Sequence, residues 1–153
     1  MGALNQTMVI DRPIETVFAM ATDMERSPLI MDQVEQVEKL TNGPVAEGTK
    51  YQEVRNLGGR RVQSTLEVIE FVPAESYAVS SEQNGVRIEF RYTFKPQGES
   101  TYVTFDGTIQ TSGFIRRLFK GMVVRMISKE ELFHLQKLKK YIEKEETTKD
   151  KAL

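Results

Sequence analysis

The sequence predicts an α+β fold in which seven antiparallel strands form a curved sheet wrapped around one long helix near the C-terminus. The first observation is a strand that leads into a proline-started helix at residues 9–18. The second is a series of segments with the period of two that strands show, between residues 33 and 109. The third is a return to a helical period of about 3.6 from Phe114 onward. A curved sheet that grips a helix tends to leave a hollow, and a functional site is expected there.

Composition narrows the class of protein. The chain has 153 residues, enough for one domain whose core needs neither disulfides nor metal. Its formal net charge of -1 argues against a nucleic-acid partner. The absence of cysteine excludes disulfides, thiolate catalysis and zinc sites with cysteine ligands. The one histidine, His134, excludes any mechanism that needs two imidazoles.

Location and cofactors are also constrained by the sequence. No apolar run approaches the roughly 20 residues that span a bilayer, so stable membrane insertion is not expected. Residues 1–7 lack the basic and apolar parts of a secretory signal, so a cytoplasmic location is expected. No metal cluster, phosphate loop or catalytic triad is visible, and we therefore expect no cofactor and no metal.

The first part of the chain predicts one strand and two short helices. Residues 3–11 read as a strand with Leu4, Met8 and Ile10 on one face. Pro13 fits the first position of the following helix, where its missing N–H costs nothing. A second short helix or turn is predicted for residues 23–31, interrupted by Ser27 and Pro28. The buried side of the first helix is predicted to carry Ile14, Val17, Phe18 and Ala21.

The strands that follow are separated by turn signals. The pairs Gly58 with Gly59 and Asn84 with Gly85 are typical of two-residue hairpins, and Pro96 begins another turn. Near Ile69 the alternation slips by one residue, which predicts a β-bulge that turns the next aromatic side chain, Phe71, inward. Strands are predicted for residues 34–40, 49–57, 60–71, 76–83 and 86–94, and for a last strand carrying Val103, Phe105 and Ile109.

The C-terminal helical pattern contains two apolar stripes. The second stripe is displaced by more than about 90° from the first, so the helix is expected to bend, break or wrap across the sheet. A single domain is predicted for residues 1–146, followed by a charged, frayed tail at 147–153. The stripes are Ile115, Leu118, Phe119, Met122 and Met126, then Leu132, Leu135, Leu138 and Ile142.

Several motifs together suggest a family. They are residues 10–18, Asp23, residues 47–51, 66–73 and 101–105, and the closing long helix. In these motifs the chain resembles the START-like, or SRPBCC, superfamily of polyketide cyclases/dehydrases and lipid-transport proteins. The resemblance covers nearly the whole chain, but its motifs are strand ends, turns and core positions, so it implies the fold more strongly than the function.

The resemblance carries its own expectations. It implies a helix-grip fold, with a seven-stranded antiparallel sheet around the C-terminal helix and two small helices closing one end. Members of the superfamily bind lipids, sterols or aromatic polyketides, cyclise them, or act as stress-linked regulators and chaperone partners. The tryptophan often found after the first helices is missing here, and Leu29, Ile30 and Met31 occupy that region.

The predicted interior supplies candidate ligand-binding residues. Such pockets are mostly apolar with a few placed polar groups, whereas the alternative is a filled core made of the same residues. Met side chains adapt to ligands of variable shape. The candidates are Phe18, Tyr51, Ser64, Leu66, Tyr77, Phe90, Tyr92, Phe105, Met122, Arg125 and Met126.

Some charged residues are weaker candidates. If Tyr51 points inward, alternation also places Glu53 and Arg55 inward, where the carboxyl group could act as a general acid or base. The alternative is that Val54 points inward and both charges face water. His134, beside Phe133 on the helix rim, is expected to be structural or solvated.

Basic residues on the long helix have two interpretations each. Arg125 and Lys129 lie where the stripes change over, and could hold a ligand carboxylate or extend along the helix edge into water. The amphipathic stretch at residues 115–127 could touch a membrane surface during lipid exchange, or simply present a solvated polar face.

These observations favour non-catalytic binding, with or without transport, of a small hydrophobic molecule such as a lipid or aromatic compound. One alternative is a cyclase or dehydratase that uses Tyr51, Glu53 and Arg55. Another is a protein-interaction or stress-response module whose charged outer face, Arg87 with Glu89 and Arg91, meets a partner. That charged face also disfavours a large apolar interface, so a monomer is expected.

Overall fold

The computed structural model describes residues 2–83, 86–111 and 134–152. In these ranges seven strands form an antiparallel sheet, and the helices include one at the C-terminal end, as the α+β helix-grip prediction required. The strands are β1 (Gly2–Ile10), β2 (Val34–Lys39), β3 (Lys50–Leu57), β4 (Arg60–Val72), β5 (Ser76–Gln83), β6 (Val86–Gln97) and β7 (Ser100–Thr111). The helices are α1 (Ile14–Ala21), a 3₁₀ turn (Met24–Arg26), α2 (Ser27–Ile30) and α3 (His134–Ala152).

The strand order in the sheet is β1-β7-β6-β5-β4-β3-β2. Each strand from β2 to β7 pairs with its neighbour in sequence, and β1 adds to the far edge against β7. Short hairpins suffice to build such a meander because antiparallel neighbours need no crossover.

The turns follow the glycine signals in the part of the chain that is described. Gly58 and Gly59 have φ of 64° and 91°, and the flanking residues Leu57 and Arg60 pair directly. Two successive positive φ angles are the mark of a type I′ hairpin, which glycine adopts without steric cost. The pair Asn84 and Gly85 lies outside the described residues. β6 extends to Gln97, so Pro96 pairs with Thr101 and the chain turns after it, later than predicted.

The predicted bulge in β4 is confirmed. The register between β4 and β5 shifts between Val68 and Glu70, so Ile69 is the extra residue. After the shift Phe71 pairs with Tyr77 and contacts the core. Its ring meets Phe18 of α1 edge-on, with centroids 5.3 Å apart. The bulge thus brings an aromatic side chain under α1.

The two short helices differ from the prediction at their first residues. α1 begins at Ile14. Pro13, which was predicted to be the first helical residue, has an extended ψ of 153° and is instead the N-cap, one position before the helix. Ser27 and Pro28 begin α2 instead of interrupting a helix. The reason is that proline is tolerated in a first turn, where its N–H would have no partner in the helix.

The core lies between the sheet and the helices. Val17 and Phe18 from α1 and three residues of α3 are buried against the inner face of the sheet. The α3 residues Leu135, Leu138 and Ile142 belong to the predicted second stripe. The first stripe and its handover to the second lie outside the described residues. α3 continues as a helix through Ala152, so the domain limit at 146 stays a prediction.

The end of β1 is fastened to α3 by polar contacts. The backbone N–H of Asp11 donates to Glu143 Oε2 at 2.9 Å, and Arg12 donates to the Glu143 carbonyl at 2.6 Å. Lys139 donates to the carbonyl of Val9 at 2.9 Å and pairs with the Glu143 carboxylate. Burial raises the pKa of Glu143, but these hydrogen bonds outweigh it and hold that pKa below its ordinary value. The motif at the end of β1 therefore orients the gripped helix.

None of the helices in the described ranges is long and apolar enough to cross a membrane.

Candidate functional site

The inner face of the sheet presents a wall of aromatic rings. Tyr77, Phe90, Tyr92 and Phe105 come from three adjacent strands, because register places their side chains on one face. The Tyr92 centroid lies 4.9 Å from Phe105 and 5.9 Å from Tyr77, and Phe90 stacks on Phe105 at 5.5 Å. Four predicted lining residues thus lie together.

The remaining predicted residues on strands lie on the same face, farther along the sheet. Tyr51 pairs with Leu66 and both are buried. Ser64 is half-buried and pairs with Glu53. Phe18 reaches the interior from α1, where its ring meets Phe71 and Phe94. Met122, Arg125, Met126 and Lys129 lie outside the described residues.

A charged pair is also on the inner face. Of the two orientations that the sequence leaves open, the structure has Glu53 and Arg55 inward and Val54 on the other side. Glu53 is only 4% exposed, and Arg55 Nε donates to its Oε1 at 2.6 Å. The Arg55 side chain is 21% exposed, so the pair extends from the interior toward solvent.

His134 is half-buried, and its imidazole is hydrogen-bonded on the inner side of the domain. The hydroxyl of Tyr92 is hydrogen-bonded to His134 Nε2, and Met31 Sδ lies 3.2 Å from His134 Nδ1. A thioether sulfur can only accept, so Nδ1 carries the proton and donates to Met31. Nε2 is then the acceptor, and the Tyr92 hydroxyl donates to it. The ring centroid of Phe105 lies 5.0 Å from that of the imidazole.

The electrostatics keep this imidazole neutral. Burial is the largest effect and lowers the pKa of His134 to about 3, and the positive charges of Arg55 and Lys137 act in the same direction. The Glu53 carboxylate opposes them without overcoming them. At neutral pH His134 is therefore a hydrogen-bonding group and a poor base.

Two tyrosine side chains, Tyr51 and Tyr77, are within electrostatic range of carboxylates at the 3₁₀ turn. Burial, helped by the carboxylates of Glu25 and Asp23, raises the pKa of Tyr51 to about 12. Burial also raises the pKa of Tyr77 well above its ordinary value, with smaller contributions from Tyr51 and Asp23. Both side chains are neutral phenols at any physiological pH. The Tyr77 hydroxyl is buried and has no hydrogen-bond partner among the described residues.

The residues predicted to bind a ligand do not include His134, which was expected to be structural or solvated, or Met31. His134 precedes Leu138 and Ile142 by four and eight residues, which places it on the same buried stripe of a helix. That spacing was the available signal. Met31 is 3% exposed and touches His134, but no pattern in its own segment points to that contact.

In residues 2–83, 86–111 and 134–152, no group of three or more His, Asp or Glu side chains is arranged to bind a metal ion.

Comparison with known proteins gives one family match. The family model described as polyketide cyclase / dehydrase and lipid transport matches residues 1–143. No curated protein matches the sequence.

Solved structures share the fold. TTHA0849 from Thermus thermophilus superposes with a TM-score of 0.73 at 21% identity, covering 91% of this chain and 95% of that one. A START superfamily protein from Mycobacterium smegmatis gives 0.72 at 18% identity, with coverage of 92% and 97%. The Zhui aromatase/cyclase from Streptomyces sp. R1128 gives 0.72 at 16% identity and 92% coverage of both chains. At these identities the likeness concerns the fold and not the function.

Proposed function

Because this chain belongs to the polyketide cyclase/dehydrase and lipid transport family, we propose that it binds a small hydrophobic molecule, a lipid or aromatic compound, between the sheet and the helices. The observation that carries the proposal is the Glu53–Arg55 pair on the inner face, in which the Glu53 carboxylate is buried. A core that serves only stability gains little from a buried ion pair, since desolvation offsets the attraction between the charges. Polar groups set in an aromatic wall are the usual composition of a ligand site.

The residues divide into two roles. The rings of Phe90, Tyr92 and Phe105 would supply apolar contact area and stacking for the ligand. The polar groups of Glu53, Arg55 and Tyr77 would orient it through hydrogen bonds.

A cyclase or dehydratase is the second candidate. The observation that favours it is that groups able to move protons meet in one interior: Glu53 from β3, Tyr92 from β6 and His134 from α3. The low pKa of His134, about 3, argues against this residue as the base. An enzyme built on this site would therefore depend on Glu53.

The outer-face alternative gains no support from the ion pairs. Arg87 pairs with Glu89 at 2.9 Å and with Glu82 at 3.7 Å, and Arg91 pairs with Glu70. These charges on β4, β5 and β6 are matched within the sheet itself, so they do not demand a partner protein.

The test is native mass spectrometry of the protein from its own host, followed by denaturing extraction of any bound molecule. We expect a co-purifying lipid or aromatic compound. A library of such compounds should raise the Tm by a few degrees. The proposal would be contradicted if no molecule co-purifies with the protein and no compound of the library raises its Tm.

A pair of variants locates the site. Ser64→Phe fills the inner face beside Glu53, whereas Thr65→Phe adds the same ring on the exposed outer face of the same strand. We expect ligand binding to be lost in the first variant only. Mass analysis of the ligand after incubation separates the two candidates, since a carrier returns it unchanged and a cyclase or dehydratase does not.

A further inference from the structure

The hydroxyl of Tyr77 is an unsatisfied donor deep in the fold. The residue is 0% exposed, and its hydroxyl has no hydrogen-bond partner among the described residues. Buried hydroxyl groups in native proteins are nearly always hydrogen-bonded, so each exception calls for an explanation. A phenylalanine at this position would fill the same space without leaving a donor unpaired. The hydroxyl is therefore explained best by a partner that binds to the protein.

The surroundings of Tyr77 suit a molecule that is mostly apolar. Its ring lies 6.2 Å from Phe71 and 5.9 Å from Tyr92. The Tyr92 hydroxyl donates to His134 and is thus directed away from this role. A ligand among these rings would meet hydrocarbon on most sides and a donor at Tyr77.

The burial of this donor disfavours an anion. Tyr77 is 0% exposed and its ring packs against Phe71 and Tyr92, so a ligand carboxylate beside its hydroxyl would lose most of its hydration. One phenol hydroxyl does not replace that hydration, and taking a charge out of water costs more than taking out a neutral polar group. The carboxylates of Asp23 and Glu25 act in the same direction, since both disfavour a negative charge at Tyr51 and Asp23 also does so at Tyr77. An uncharged oxygen has a smaller desolvation cost.

We propose that the Tyr77 hydroxyl donates a hydrogen bond to an uncharged oxygen of the ligand, a carbonyl or hydroxyl oxygen, and that this end of the site discriminates against carboxylates. The inference rests on the proposed binding function and names the chemical class of ligand. Fatty acids with their carboxylate at this end would then be poor ligands, and ketones, esters or alcohols of similar shape good ones.

The test uses three probes of nearly the same shape: 2-acetonaphthone, 2-isopropenylnaphthalene and 2-naphthoate. They differ in whether they present a neutral oxygen, no oxygen or a charged carboxylate. We expect the wild-type protein to bind the ketone about tenfold more tightly than the hydrocarbon, the difference that one hydrogen bond makes. The naphthoate should bind more weakly than the ketone. In Tyr77→Phe the ketone and the hydrocarbon should bind equally.

The outcomes separate this inference from the function on which it rests. Equal binding of ketone and hydrocarbon to the wild type, or a preference that survives in Tyr77→Phe, would overturn the role of the hydroxyl and leave hydrophobic binding intact. Tightest binding of the naphthoate would overturn the discrimination against carboxylates. Binding of none of the three probes would count against the proposed function and remove the inference with it.

Stability provides an independent readout. Without ligand, Tyr77→Phe should melt at the same temperature as the wild type or higher, because it removes an unpaired buried donor. A marked loss of Tm would mean that the hydroxyl has a structural partner, and would overturn the inference.

Discussion

Tyr92 on β6 and His134 on α3 are hydrogen-bonded to each other across the interior of the domain. The contact of His134 Nδ1 with Met31 assigns the tautomer, so that Nε2 accepts from Tyr92. One imidazole therefore joins the middle of the sheet, the C-terminal helix and the residue that follows α2. It also directs the Tyr92 hydroxyl toward the helix, whereas the Tyr77 hydroxyl has no partner among the described residues.

The first prediction concerns this hydrogen bond. Tyr92→Phe should lower the free energy of unfolding by about 1–2 kcal/mol, because it leaves the partly buried acceptor of His134 without its Tyr92 partner. Urea denaturation measures the change. Tyr77→Phe is the matched control, since it removes a phenol oxygen that bonds to no described residue and should cost nothing. Equal losses in the two variants would contradict the arrangement described.

The second prediction is a dependence of stability on pH. The pKa of His134 is about 3 in the folded protein and has its ordinary value of 6.5 in the unfolded chain. Between these values the unfolded state binds a proton that the native state does not, so stability falls as the pH drops below about 6.5. The loss is at most about 1.4 kcal/mol for each pH unit. Above pH 6.5 both states are neutral and this dependence vanishes.

The single histidine makes the measurement direct. Only one imidazole contributes to the histidine region of a proton NMR spectrum, and its signals should show no titration between pH 7 and 5. Carboxylates also change stability with pH, and His134→Gln is the control for them. That variant should lose stability less steeply than the wild type below pH 6.5. A midpoint near 6.5 in the folded protein would show that His134 is solvated.

The third prediction concerns the ion pair between Glu53, which is buried, and Arg55. Arg55→Met should destabilise the protein by about 2–3 kcal/mol, because it leaves the carboxylate of Glu53 buried without this partner. Glu53→Gln should cost less, since it removes the charge that is the more deeply buried of the two. The double variant should recover part of the loss caused by Arg55→Met alone. A double-mutant cycle by chemical denaturation tests this, and additive losses would show that the two side chains do not interact.

Much of the fold could be predicted because alternation and turn residues leave a direct signal. The bulge at Ile69 could be predicted because the apolar residues on either side of it change parity, and the structure has the bulge there. The hairpin turn at Gly58 and Gly59 could be predicted because a type I′ turn needs two adjacent residues of positive φ, which glycine adopts easily. Position within a first helical turn leaves a weaker signal, since Pro13 is compatible with N-cap and N1 alike.

The candidate site could be predicted only in part. Parity alone places Glu53 on the same face as Tyr51, but it cannot say which face is inner. The contact between Tyr92 and His134 joins residues 42 positions apart on a strand and a helix. Its geometry depends on how α3 is rotated about its own axis against the sheet. The spacing of apolar residues defines that rotation only to within about one residue position.

The last prediction concerns the contacts that fasten α3 to the end of β1. Glu143→Ala removes the acceptor of the Asp11 N–H and the partner of Lys139, and should destabilise the protein by about 1–2 kcal/mol. Lys140→Ala is the matched control, because that side chain is exposed on the same helix and its truncation should change stability by less than about 0.5 kcal/mol. Thermal and urea denaturation compare the two variants.

A pH titration separates this anchor from general helix stability. The Glu143 carboxyl has a pKa below its ordinary value in the folded protein, so its contribution is present at neutral pH and is lost as the pH falls through that lowered value. Glu143→Gln should therefore differ most from the wild type at neutral pH, and the difference should shrink in acid. A difference that stays constant across the titration would mean that size, and not charge, holds the helix at this point.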